Sequence, residues 1–368
     1  MSSEPIWDLK PHTRAKHQLL RGYLDAWVPI LGQSQYKRLL FVDGFAGPGV
    51  YSKGEPGSPI VALEAIAESA VSSSSCDFVL LFVEEDTARA KSLELEIAKF
   101  RSAHRELSNV TTHVIAGEFA DVAAQLLESL DENGAQLAPT LAMIDPFGFS
   151  GVPMALIKDL LRFPSCEIFF NLMLNHINWH VETDSVSEHM QALFGTDEFR
   201  DVPPAGDPRR QPFLIELYAG QLEKEAGFRH VSHFQLINEA GRPNVILHGT
   251  RHIKGLEVMR RAMWELDPSQ GVRFDARDDP NVGSLFDLEV DTAELQTLIH
   301  EKFGGQSVPI TTVHDFVLTD TRFDPTRHLK VKTLKVMEKN GLITSVTKAD
   351  GSTRRAGTFP GICSISFS

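Results

Sequence analysis

Two short acidic turns carry most of the chemistry that this sequence offers. The first is Asp43-Gly44-Phe45-Ala46-Gly47-Pro48-Gly49, entered directly from the apolar run Leu39 to Val42. Glycine admits positive backbone dihedrals and lets a ligand approach the main chain, while a carboxylate at a strand end accepts hydrogen bonds from an amine or a ribose. The segment therefore reads as a nucleotide-holding turn, against the plainer reading of a strand-to-helix connection in which glycine is simply the usual residue. Its spacing narrows the nucleotide. A dinucleotide fingerprint would need glycine where Ser52 stands, and no G-K-[ST] follows to make a phosphate loop. The second turn is Asp145-Pro146-Phe147-Gly148, an acid and an aromatic ring at the end of the run Thr140 to Ile144.

Further acids fall where a nucleotide fold would use them. Glu84 closes the run Phe78 to Val83, the position from which a carboxylate accepts both ribose hydroxyls; Glu85 and Asp86 equally suit the first turn of a helix. Glu118, Phe119 and Asp121 follow the run Val110 to Ile115, with Phe119 equally readable as core. His176 and His180 stand four apart around Trp179 but lack an evident third ligand, so no metal site is expected; His248 and His252 are a weaker pair. Cys76, Cys166 and Cys363 are scattered without C-x-x-C spacing and suggest neither disulfides nor a thiolate metal site. None stands near Asp145, which disfavours chemistry at cytosine C5, where a nucleophilic thiol is required.

Positioning these residues takes an alternation of strands and helices. A helical period over Thr13 to Leu31 predicts a helix packed on a sheet, and Lys16-His17 on it could approach the ligand. Strands are expected at Leu39 to Asp43, Phe78 to Val83, Val110 to Ile115, Thr140 to Ile144 and Glu167 to Leu174, with helices from Ser58, capped by that serine, and from Thr87 and near Asp121. Ser72 to Ser75 reads as a linker. A helix over Pro212 to Ala226 precedes a hairpin, Val231 to Leu236 and Asn244 to His248. The expected fold class is α/β, a doubly wound, mostly parallel, Rossmann-type sheet over residues 1–268, with 175–211 as a lid or substrate-facing insertion and 269–284 as a linker. Residues 285–368 hold three helices and a basic hairpin, resembling a winged helix.

The chain has 368 residues, enough for about two domains, and its 42% apolar content suits a globular protein. Residues 1–12 lack a basic-then-apolar pattern and no apolar run is long enough to span a bilayer, so a cytoplasmic protein without membrane contact is expected. A net charge of -13 opposes indiscriminate adhesion to nucleic acid. From Asp320 to Arg355 the balance reverses, nine basic residues against four acids. A recognition helix with Lys330, Lys332 and Lys335 and a wing with Arg354 and Arg355 would suit phosphate and groove contacts.

The turn at Asp43 to Gly49 resembles the first motif of S-adenosylmethionine (SAM) dependent methyltransferases, and the strand order matches their class I domain. The resemblance implies that the glycine turn embraces the methionine portion, that Asp43 faces its ammonium group, and that Glu118 and Phe119 lie at the adenine. Asp145 to Gly148 is similar to the D-P-P-Y segment of methyltransferases acting on exocyclic amines of bases, with Phe147 in place of the second proline and Gly148 in place of the aromatic; Phe147 or Phe149 would then supply a stacking face. Lys16-His17-x-Leu19-Leu20-x-x-Tyr23-Leu24, Asp43-x-Phe45-Ala46-Gly47-Pro48-Gly49, Gly57-Ser58-Pro59, Asp145-Pro146-Phe147-Gly148 and Met259-x-x-Ala262-Met263-Trp264, in that order, resemble the three-Cys-motif partner protein family. That implies a methyltransferase-like domain, a winged-helix tail, and a cysteine-bearing companion similar to a radical SAM or phage-type protein. The expectation is a SAM-dependent methyltransferase acting on nucleic acid or a nucleic-acid-associated partner. The alternative is a non-catalytic SAM- or nucleotide-sensing protein that binds nucleic acid or a partner.

Overall fold

A computed structural model describes residues 7–69, 76–278, 290–352 and 354–368. The Ser72–Ser75 linker and residues 279–284 of the second linker lie outside the described residues. The chain divides into two compact units, Met1–Met259 with Phe274–Asp278, and Arg260–Arg273 with Asp279–Ser368. The division expected near residue 268 thus falls earlier, inside a helix.

The larger unit opens with α1 (Pro11–Gly32), whose face of Leu19, Leu20, Tyr23, Leu24, Trp27 and Val28 is buried as its period required. There follow β1 (Arg38–Asp43), α2 (Ser58–Ala67), β2 (Asp77–Glu84), α3 (Thr87–Ala103), β3 (Val110–Ala116), α4 (Phe119–Glu132), β4 (Thr140–Ile144), α5 (Met154–Leu160) and β5 (Cys166–Leu172). Next come α6 (Leu174–His180), α7 (Ser187–Phe194), α8 (Arg210–Lys224), β6 (His230–Ile237), β7 (Pro243–Thr250), α9 (Ile253–Leu266) and β8 (Arg273–Asp275). The sheet order is β3-β2-β1-β4-β5-β7-β6-β8. Strands β1 to β5 pair in parallel, and β7 runs antiparallel to β5 and β6. This is the mostly parallel α/β sheet that the alternation predicted. β4 and β5 are buried along their whole length, as strands covered on both faces must be.

Three expectations need correction. Ser58 does not cap α2: Gly57 does, because a side chain there would meet the Gly49 carbonyl oxygen at 3.0 Å. Residues 175–211, expected as a lid or substrate-facing insertion, are packed down on the larger unit. Met190, Leu193, Phe194, Phe199 and Val202 sit in the main core, and Arg210 ties the segment down through Asn178, Pro203 and Glu182. Asp267 to Asp278 is not a loose linker. The Asp267 carboxylate receives four backbone N–H groups, from Ser269, Gln270, Val272 and Arg273; burial alone would raise its pKa, but the Ser269 hydroxyl and these bonds outweigh that and hold it below its ordinary value. Ala276 N–H bonds the Ile237 carbonyl at the edge of the sheet.

The C-terminal unit contains α10 (Ala293–Phe303), β9 (Ser307–Pro309), α11 (Ile310–Asp320), α12 (Pro325–His328), a π-helical stretch (Leu329–Leu334), α13 (Lys335–Lys339), β10 (Ile343–Lys348) and β11 (Cys363–Phe367). Its sheet is antiparallel, in the order β10-β11-β9. Trp264 anchors this core, stacked 6.0 Å from Phe323 and 4.3 Å from His328, with its indole N–H on the Arg322 carbonyl at 2.7 Å.

Candidate active site

The carboxyl ends of β1, β2, β4 and β5 gather the expected acids along one edge of the sheet, because parallel strands all deliver their last residues there. Three cavities lie along that edge. One of about 100 Å³ is bounded by the glycine turn, Phe45 to Gly49, and by Lys16, His17, Tyr51, Ser58 and Asp145. The second, about 260 Å³, is lined by Gly44, Phe45, Glu84, Arg89, Glu118 and Phe119. The third, about 130 Å³, is lined by His12, Lys16, Asp145, Asn171, Met173 and Asn244. Phe147 lines all three and is 73% exposed. Lys16, Asp145 and Thr13 are shared by the first and third.

The glycine turn is shaped for close approach. Gly47 and Gly49 have positive φ, 67° and 88°. A Cβ on Gly44 would stand 2.6 Å from the Phe119 ring, so only glycine lets α4 bring that ring down beside Phe45. Phe119 is both core and cavity wall, which merges the two readings of it.

Asp43 is fully buried behind the turn. Its Oδ1 accepts from the Phe45 N–H at 3.1 Å, and no donor has hydrogen-bonding geometry to Oδ2. Burial pushes its carboxyl up to about 7, only partly offset by the nearby Ser58 hydroxyl and the Phe45 N–H. It does not line the three cavities. Glu84 does, but both of its oxygens are engaged: Oε2 accepts from Gly47 N–H at 2.9 Å, and Oε1 from Asp86 N–H at 2.9 Å and from the Arg89 guanidinium at 2.6 Å. Glu118 stands at the start of α4 without a side-chain cap bond, and Asp121 lies in the first turn.

Asp145 is held from two sides. The Lys16 ammonium bonds Oδ2, and Asn171 Nδ2 bonds Oδ1 at 2.5 Å. Burial alone would raise its pKa; the Lys16 charge and these bonds outweigh that and hold it below the ordinary carboxylate range. Lys16 was expected to approach the ligand, though not as a partner of Asp145, and Asn171 was not singled out; the signal available for it was its place on β5 beside β4. His17, buried against Tyr51 with its ring 5.7 Å away, is pushed down to about 3, by burial first and then by Lys16. His12 lines the third cavity with Nδ1 3.4 Å from Glu239, and burial lowers its pKa too.

The remaining candidates separate. His176 stacks toward Trp179 and His180 toward Phe149, and among the described residues no group of three or more metal-ligating side chains occurs. Cys76, Cys166 and Cys363 are buried and are joined by no disulfide. In the C-terminal unit Lys330, Lys332, Lys335 and Arg355 are exposed. Arg354 is not: its side chain pairs with Glu338, bonds the Arg355 and Thr358 carbonyls and lies over Phe359, so it builds the hairpin connection and is not free for phosphate. A further cavity, about 310 Å³, lies at the opposite sheet edge between α1, the start of β5 and the end of β7, away from these acids.

No protein-family model and no curated protein matches the chain. Among solved structures, an O-methyltransferase from Bacillus cereus in complex with SAH is 16% identical, over 66% of this chain and 82% of that one, at a TM-score of 0.34. The O-methyltransferase TomG from Streptomyces achromogenes, in complex with SAM, is 16% identical over 67% and 92%, at 0.32. A spermidine synthase from Thermotoga maritima is 9% identical over 74% and 73%, at 0.35. Likenesses at this level carry no argument here; the reading of the site rests on its own geometry. Among the described residues no helix is long and apolar enough to cross a membrane.

Proposed function

We propose that the larger unit binds SAM and transfers its methyl group to nucleic acid or to a nucleic-acid-associated partner. The observation that carries this reading is the row of three cavities meeting at Phe147, with the glycine turn on the first, Glu84 and Phe119 on the second and Asp145 on the third. The residues fit the cofactor. The turn offers close backbone approach at Gly47 and Gly49, Asp43 supports it from behind through the Phe45 N–H, and Glu84 and Phe119 line the second cavity for ribose and adenine. Bound there, SAM would supply an electrophilic methyl group. The protein's part is positioning: Phe147 offers an exposed ring for a planar acceptor, Lys16 and Asp145 line both the first and the third cavity, and Asn171 lines the third.

The C-terminal unit is read as a winged helix, its order of helix, short strand, two helices and hairpin supporting that, with Lys330, Lys332, Lys335 and Arg355 toward phosphate. A cysteine-bearing companion of the three-Cys-motif type remains part of the proposal. Calorimetry with SAM, followed by labelled-methyl transfer to DNA, RNA and co-purified protein, tests the reading. Asp145→Ala is expected to keep SAM affinity within about threefold and to abolish transfer; unchanged turnover removes Asp145 from the chemistry. A second reading, ligand sensing without catalysis, is favoured by the fact that Asp145 and Glu84 are already satisfied by protein donors. SAM binding with no labelled acceptor, companion present, selects it.

A further inference from the structure

Both oxygens of the acid in the third cavity already hold a protein donor. Asp145 Oδ2 accepts from the Lys16 ammonium and Oδ1 from the Asn171 amide, so an incoming amine would have to share an oxygen with one of them. The same contacts fix Asn171. Its Nδ2 must face the carboxylate, since the alternative would set two oxygens against each other, and it also reaches the Met173 sulfur at 3.5 Å. Its carbonyl oxygen is therefore turned away from Asp145. That Oδ1 is buried and has no hydrogen-bond partner, on a residue 6% exposed that lines the cavity. A buried acceptor without a donor is costly and calls for an explanation; a donor supplied by the ligand provides one.

We propose that the Asn171 side-chain carbonyl receives the N–H of the methyl-accepting group, and that this group is the exocyclic amine of a nucleobase stacked on Phe147. Asp145 is a positioning residue that orients Asn171, itself held by Lys16. The strands support the arrangement: Ile144 pairs with Phe170 in parallel, so the next residue of each, Asp145 and Asn171, emerges side by side at the strand ends. The aromatic face and the orphan acceptor border one cavity, as recognition of a flat ring with an amino substituent requires. This inference rests on the reading of the crevice as a SAM site.

The test uses the full chain saturated with SAH, so that nucleosides cannot occupy the cofactor cavities, and ligand-observed NMR with adenosine, inosine, N6,N6-dimethyladenosine, cytidine and uridine. Adenosine or cytidine should bind about tenfold more tightly than its counterparts without an amine N–H. Asn171→Ala should erase that preference, whereas Phe147→Ala should weaken all nucleosides and keep it. Melting temperature and SAH affinity of each variant report on folding, and the wild-type preference needs no variant. Equal binding of adenosine and its dimethyl analogue, no nucleoside binding to the SAH complex, or a preference retained in Asn171→Ala overturns the inference alone; the last returns the role to Asp145. Failure of SAH itself to bind overturns the SAM reading, and this inference with it.

Discussion

A carboxyl with no exposure and one unpartnered oxygen, such as that of Asp43, ionises only at a cost until something positive arrives. Its folded pKa of about 7 lies above the ordinary 3.8, so between these values the folded chain keeps a proton that the unfolded chain has lost. Stability therefore declines as pH rises from about 4 to about 7 and is level beyond. Asp43→Asn, which keeps the oxygen that accepts from Phe45, should be more stable than the wild type by about 1–3 kcal/mol at pH 8, with the difference vanishing near pH 4 in thermal melts. At Gly44 the question is space. Gly44→Ala should cost about 1–3 kcal/mol through collision with the Phe119 ring, and a double-mutant cycle with Phe119→Leu should recover part of it; additive effects would place the strain elsewhere. The glycines and Asp43 were legible because turn chemistry is local. Asn171 was not, because its importance comes from a neighbouring strand more than twenty positions away in the chain.

At the scale of elements, α1 does more than cover the sheet. Its Tyr23 hydroxyl donates to the buried Glu167 on β5 at 2.9 Å, and Thr250 from the end of β7 donates to the other oxygen. Burial raises the Glu167 pKa, partly offset by these donors. Tyr23→Phe should lower stability by about 1–3 kcal/mol in urea denaturation yet leave SAM affinity unchanged, since the contact lies at the far edge of the sheet. A simultaneous loss of SAM binding would mean that α1 transmits the change along its length to Lys16. Strand boundaries β1 to β5 followed from short apolar runs ended by acids, and the hairpin from its glycine turn. The packing of 175–211 could not be read, because Met190, Leu193 and Phe194 are too few and too interrupted by 3-10 turns to show a clear period. Likewise, the Pro- and Asp-rich composition after Asp267 suggested a linker and concealed one carboxylate collecting four amides.

For the whole molecule, charge is segregated by unit. The chain carries -13, yet the exposed residues Lys330, Lys332, Lys335 and Lys339 crowd one short helical region. If that region meets phosphate, replacing Lys330, Lys332 and Lys335 with alanine should weaken nucleic-acid binding and reduce the slope of log K against log salt by about 2–3, without changing SAM affinity. An unchanged slope would assign the lysines to solvation.

The π-helical winding at Leu329–Leu334 has a consequence for that region. A π turn holds one residue more than the α-helix allows, and here it leaves Val331 69% exposed between Lys330 and Lys332. Shortening the stretch by one residue would rewind it to ordinary pitch and leave Lys335 and Lys339 at nearly the azimuth they hold now, because five residues at α pitch turn about as far as six at π pitch. The bulge thus absorbs a residue without moving the cations that follow, whereas a deletion from an α-helical turn would carry them round by roughly 100°.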